Sequence, residues 1–374
     1  MKTRIKILFL SLIMAFIMGS GNAFAEIRIG LMCPLTGSWA SEGQDMRNIV
    51  ELLAEDINSS GGINGQQINV LVEDDGGDPR TAVSAANRLA TRDVTAVIGT
   101  YGSSITEATQ NIYDDYDIIQ VANGATSVRL TQKGLEYFFR TCPRDDEQGR
   151  VAADTIESMG YNKVAILHDS TSYARGLADE AQDLLKQQDK DIVFFGALTP
   201  GERDYSTILS RLRNADPEIV FFTGYYPEAG LLLRQKDEMN WNVPFLGGDA
   251  TNNPDLVAIA GTTAANGFYF LSPPVPQDLD TPEAKDFLVS FNEKYDSNPG
   301  SIWAVLAGDA FLVLTDAIEA TGSTDKDVLS AYLREDLSVE GLTGIISFDE
   351  KGDRAGALYR LYKIDDQGEF VMQD

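Results

Sequence analysis

The chain has 374 residues, 43% of them hydrophobic, with 30 basic against 57 acidic side chains, one histidine and two cysteines. A formal charge of −27 excludes the basic surface that nucleic acid or an anionic membrane requires. One histidine and two distant cysteines, Cys33 and Cys142, exclude a metal site built on those ligands.

At the N-terminus, Lys2, Arg4 and Lys6 precede the apolar run "ILFLSLIMAFIMG", and Ala23-Phe24-Ala25 forms an A-x-A signal before Glu26. This pattern predicts an export leader over residues 1–25, cleaved after Ala25. No cysteine lies at the cleavage point, so a lipid-anchored form is not expected, and no later segment reaches the roughly 18 apolar residues of a membrane span. The exported chain of 349 residues carries 27 basic and 57 acidic side chains, a charge of −30. That length is too great for one ordinary core, so two domains are expected.

Strands and helices then alternate. "IRIGLMC" (27–33) and "INVLVED" (68–74) read as buried strands, and Met46, Ile49, Val50, Leu53 and Ile57 between them stand at helical spacing. The helix stops at the glycines of "NSSGGING", and Pro79 opens a second one. Strand 95–99, the turn "GTYGSS", a helix to about Tyr113 and strand 118–122 follow. After "FFRTCPRDDEQG" a second series has strands at 163–169, 191–197, 218–224, 243–248 and 267–273. Continuous apolar strands separated by amphipathic helices predict parallel sheets covered on both faces, in two doubly wound lobes. Pro273, Pro274 and Pro276 predict a stiff crossing between the lobes, and 341–347 reads as another. Two helices, about 283–296 and 302–320, precede a closing segment, 344–365, read as a hairpin-like pair of strands turning at Lys351-Gly352-Asp353.

The lone His168 ends a predicted strand, but no G-x-S-x-G elbow accompanies it, and a packed structural role is the expectation. "DDGGDP" (74–79) resembles a calcium loop only loosely and reads as an acidic turn capping a helix. Cys33 and Cys142 leave two readings open, one disulfide or two buried thiols. "GTYGSS" lacks the lysine of a phosphate loop, yet a strand, a Gly-Ser turn and a helix start offer N–H groups to an anion. "ANGATS" (122–127) repeats this after the next strand, so both turns emerge at one carboxyl edge. The pair points to a small oxyanion such as a carboxylate.

"RIGLMCPLTGSWASEGQDM", "DINSSGGINGQQI", "EDDGGDPRTAVSAANRL", "FFRTCPRDDEQG", "HDSTSYARGLA" and "DEKGDRAG" resemble the type I periplasmic solute-binding proteins. Within these, the leucine/isoleucine/valine-binding branch of ATP-driven importers is most similar, over essentially the whole exported chain. The resemblance implies an α/β fold of two Rossmann-like lobes joined by a three-stranded hinge. Lobe 1 would comprise 26–145 plus 274–344, and lobe 2 146–273 plus 345–374. An amino acid would bind in the cleft as the lobes close, with no reaction, cofactor or metal, in a monomer that passes it to the membrane permease subunits of an ABC importer.

The same resemblance assigns the ligand carboxylate to Ser103 and to the loop of Gly124 and Thr126. It assigns lobe-2 closure to Tyr173 and Tyr225, and the ammonium contact to Asp249. Gly77 and Gly102 stand where some relatives carry a cysteine pair. Glu42 replaces an aromatic residue near the ligand side chain, with Trp39 just before it, and Ser301 beside Trp303 stands weakly for a later apolar contact. Glu42 therefore predicts a ligand with a polar or cationic side chain, or one small enough to leave Glu42 hydrated. Alternatives are a receptor for an amide, urea or aromatic carboxylate, a ligand-sensing subunit, and an exported α/β enzyme in which His168 and Ser103 would have to meet.

Overall fold

The computed structural model describes residues 26–373. The leader and its cleavage after Ala25 lie outside the described residues. Two parallel sheets organise the chain. The first takes β1 (Ile27–Cys33), β2 (Ile68–Asp74), β3 (Ala96–Ile98), β4 (Ile119–Ala122) and β5 (Phe138–Arg140) in the order β2-β1-β3-β4-β5. The second holds β6 (Lys163–His168), β7 (Asp191–Ala197), β8 (Ile219–Phe222), β9 (Phe245–Gly247) and β10 (Tyr269–Ser272), in the order β10-β9-β8-β6-β7. Both sheets thus repeat one winding, in which the second strand lies outside the first and the chain then reverses direction across the sheet. Side chains at the carboxyl ends on either side of that reversal face a common crevice.

The local reasons are ordinary. β1 is buried along nearly its whole length, as a central parallel strand must be. Asp78 caps the helix Pro79–Ala90 by accepting from the N–H groups of Arg80 and Thr81 at 3.0 Å each, while Pro79 fills the first position that needs no donor. The helix Ile302–Thr321 is apolar almost all round and packs on the helix Ala40–Ser59 of the first lobe.

The chain end departs from expectation. Segment 344–365 folds back on itself only over 347–355, where Phe348 and Arg354 form one antiparallel bridge and Ala355 N–H donates to the Ser347 carbonyl at 3.0 Å, and its outer strands do not pair with each other. β12 (Gly344–Ile346) pairs antiparallel with β11 (Val339–Gly341) instead, in a ribbon that occupies most of the supposed crossing at 341–347. β13 (Arg360–Ile364) joins the second sheet antiparallel to β10, and β14 (Phe370–Met372) pairs outside it. The turn itself forms, with Gly352 N–H donating to the Asp349 carbonyl at 3.0 Å. Beyond it, however, Asp353 pairs with the buried Arg140 at 2.5 Å and Arg354 with the buried Asp309 at 3.3 Å. These ion pairs hold the return segment at the first lobe. β13 then buries Tyr362 and Ile364 against the second sheet, Tyr362 stacking on Phe270 at 5.4 Å.

Cys33 and Cys142 are both free and buried, so the disulfide reading gives way to two apolar-like thiols. Burial pushes both thiols up, Cys142 to about 12.

Candidate functional site

The candidate residues follow the carboxyl ends of parallel strands: Trp39 and Glu42 follow β1, Ser103 follows β3, and Gly124 and Thr126 follow β4. Tyr173 follows β6, Tyr225 follows β8 and Asp249 follows β9. The two lobes meet across these loops. Ser172 N–H donates to Ser104 Oγ at 3.0 Å, Ser172 Oγ to Glu107 at 2.6 Å, and Tyr226 OH to the Ser38 carbonyl at 2.9 Å.

The first lobe's loops supply a set of donors. Ser103 is the first residue of the helix Ser103–Asp115, whose N-cap is Gly102, with no side chain to occupy the N-terminal N–H groups. Ser103 Oγ accepts from the Ser127 N–H at 3.1 Å, which leaves its own proton to donate. Among the described residues the buried Thr126 and Tyr101 hydroxyls have no close hydrogen-bond partner, the Thr126 hydroxyl facing the Asp145 carboxyl. Gly124 lies so close to Tyr101 that a Cβ there would stand 2.8 Å from the Tyr101 carbonyl oxygen. Hydroxyls beside a helix start suit a small anion.

Acidic side chains lie beside these donors, Asp145 N–H donating to the Thr126 carbonyl at 3.0 Å. Asp249 is buried, its Oδ2 accepting from Tyr359 OH at 2.6 Å and its N–H donating to Gln148 Oε1 at 3.0 Å. Its carbonyl accepts the Trp303 indole N–H at 3.3 Å, a bond from the first lobe to the second. Asp145, also buried, keeps Oδ2 without a partner. Burial raises the pKa of both groups, and for Asp145 the nearby Asp249 charge raises it further. Two adjacent buried carboxylates resist ionising together, and a cation between them removes that penalty. Asp145 is a candidate site residue that reading the sequence missed. Its strand, β5, is only the three residues Phe138–Arg140, too short to stand out as a strand whose carboxyl end should be inspected.

Aromatic rings complete the cleft. Tyr225 lies 5.4 Å from Tyr173 and 4.3 Å from Trp39, and Trp39 meets Tyr101 edge-on at 5.4 Å. The Tyr173 hydroxyl accepts from the Ala250 N–H at 3.3 Å. Glu42 differs from expectation. Its carboxylate is not hydrated but fully enclosed, accepting from Asn253 Nδ2 at 2.7 Å and from Ser301 Oγ at 2.6 Å. Asn253 belongs to the second lobe, so Glu42 joins the lobes, and Ser301 is a hydrogen-bond donor rather than an apolar contact. Burial raises its pKa to about 7. His168 accepts from the Ser170 N–H at 3.0 Å and lies 5.4 Å from Phe195; it ends β6, in the other sheet from the strand that Ser103 follows.

A family model described as "periplasmic binding protein" matches residues 26–369. A "Leu/Ile/Val-binding protein homolog 1" of Brucella abortus is 32% identical, over 93% of this chain and 93% of its own. A leucine-, isoleucine-, valine-, threonine- and alanine-binding protein of Pseudomonas aeruginosa is 33% identical over 96% of this chain and 95% of its own. Among solved structures, a leucine-binding protein of Thermotoga maritima superposes with a TM-score of 0.86 at 26% identity, covering 93% of this chain and 98% of that one. A branched-chain amino acid transporter substrate-binding protein of Streptococcus pneumoniae, in complex with isoleucine, superposes with a TM-score of 0.84 at 28% identity, covering 93% and 100%.

Proposed function

The chain belongs to the periplasmic binding protein family, and on that premise we propose that it captures a small amino acid between its lobes for an ATP-driven importer. The observation that carries this reading is the polarity of the cleft. Hydroxyls and a helix start come from the first lobe's loops, and the buried acids Asp145 and Asp249 stand beside them, Asp145 N–H donating to the Thr126 carbonyl at 3.0 Å. A zwitterion satisfies both: its carboxylate takes the donors of Ser103, Thr126 and the Gly124 loop, and its ammonium lets both acids ionise. An uncharged amide or urea, or an aromatic carboxylate, would leave two buried acids unpaired, which counts against those ligands. The relatives' names, which specify leucine, isoleucine, valine, threonine or alanine, support an amino acid.

In this reading lobe 1 is 26–145 plus 274–344 and lobe 2 is 146–273 plus 345–374, except that the β11–β12 ribbon and the ion pairs of Asp353 and Arg354 keep the segment up to Arg354 at lobe 1. Ser103, Gly124 and Thr126 hold the ligand first, and Tyr173, Tyr225 and Asp249 close over it by hinge motion. The protein performs no chemistry, is exported after cleavage behind Ala25, acts as a monomer and docks on permease subunits in its closed form. Calorimetry across the amino acids tests the site. Each hydrogen bond to a charged group is worth about 1.5–3 kcal/mol, so Ser103→Ala and Asp249→Asn should each weaken binding by about ten- to a hundredfold. Retained affinity in both variants would overturn the assignment.

A further inference from the structure

We infer that Trp39 sets the size of the ligand: its indole fills the side-chain end of the cleft and restricts the protein to amino acids about as small as glycine, alanine and serine. The inference rests on the amino-acid-receptor reading above and adds the side-chain class.

The ring is wedged from four directions. Tyr225 of the second lobe lies against it at 4.3 Å between centroids, tilted by 32°, and Tyr101 of the first lobe meets it edge-on at 5.4 Å. Two glycines make its floor. A Cβ on Gly77 would stand 2.9 Å from the indole Cε3, and a Cβ on Gly102 would stand 3.1 Å from Cζ3. Gly77 also has φ of +65°, so any side chain there would be strained as well as obstructed. The residues at 77 and 102 thus fit this indole and nothing larger in their own positions.

The placement matters because Gly102 immediately precedes Ser103. The six-membered ring of the indole therefore stands beside the proposed carboxylate grip, and Tyr225, which would cover the ligand, is already in contact with it. Tyr101, which meets the indole, packs in turn on Trp303 at 6.4 Å, and the nearby Glu42 is pinned by both Asn253 and Ser301. Close-packed walls of this kind do not yield to a branched side chain without breaking interlobe contacts. Each methylene that a pocket cannot take is worth roughly ten- to two-hundredfold in discrimination.

The test is calorimetry with glycine, L-alanine and L-leucine on the wild-type protein, Trp39→Ala and Trp39→Phe, with thermal unfolding to check that each is folded. The wild type should prefer L-alanine to L-leucine. Trp39→Ala should raise the leucine-to-alanine affinity ratio by at least about tenfold, and Trp39→Phe should raise it by less. Equal wild-type affinities for the two, or a ratio unchanged in the folded variants, would overturn the inference; if Trp39→Ala does not fold, Trp39→Phe alone decides it. Should amino acids bind in a way that Ser103→Ala abolishes while the ratio stays fixed, only the role of Trp39 fails. If none of the three binds and no other amino acid does, the receptor reading fails and this inference goes with it.

Discussion

Replacing Glu42 by glutamine should stabilise the protein above neutral pH and leave it nearly unchanged in mild acid. The carboxylate is fully buried between Asn253 and Ser301, and burial, with the charges of Asp45 and Asp255 adding to it, raises its pKa from 4.5 to about 7. A raised folded-state value means that folding favours the protonated form. The contribution of Glu42 is therefore fully present below the unfolded value and is lost as pH rises from about 4.5 through about 7. A shift of that size corresponds to about 3 kcal/mol of lost stability at pH 8, since one unit is about 1.4 kcal/mol. Glutamine keeps an acceptor and a donor for the two neighbours but cannot ionise. Urea unfolding of wild type and Glu42→Gln from pH 4.5 to 8.5 measures the effect. Burial also raises Asp75, Asp145, Asp169 and Asp249, so only the difference between the two proteins isolates Glu42. That difference should be small at pH 4.5 and reach up to about 3 kcal/mol in favour of glutamine at pH 8. A variant less stable than wild type by the same amount at both pH values would refute the reasoning, because the carboxylate would then be ionised and well paired.

Asp145→Asn should have opposite effects on the empty and loaded protein. It removes one of two mutually repelling buried acids, so the ligand-free protein gains stability at pH 8, while affinity for an amino acid falls by about tenfold or more; urea titration and calorimetry read the two signs. Arg140→Met leaves Asp353 buried with half its pairing removed, Arg144 remaining as its second partner, and should cost about 3–5 kcal/mol in unfolding free energy. Cys33 and Cys142 should both be silent to a thiol reagent in the native protein and both react in denaturant. Rapid native labelling of either would contradict their burial.

The readable parts of this protein were those in which one local signal repeats. Apolar strands at 27–33 and 68–74, helical spacing between them and the glycine stop after Asn58 predicted the first unit to within a few residues. The two hydroxyl turns at 99–104 and 122–127 were visible for the same reason, since each follows a strand and opens a cap or loop. The closing segment misled because the turn at 351–353 is locally a hairpin turn, whereas its flanks are claimed by partners far away in sequence. Arg140 takes Asp353, Asp309 takes Arg354, and β10 takes β13.

The sequence by itself determined the fold class, because burial on both faces of a parallel strand requires an unbroken apolar run and leaves that run legible. It also determined which turns sit at strand ends, and so which short list of residues could touch a ligand. Only the tertiary structure decided what those residues do to one another. It joined Asp145 to Asp249, separated by about a hundred positions, and closed Glu42 on Asn253 of the opposite lobe. It laid Trp39 over Gly77 and Gly102. None of these leaves a periodic trace, because a contact between lobes depends on where two separately folded sheets bring their carboxyl edges, and spacing along the chain carries no record of that distance.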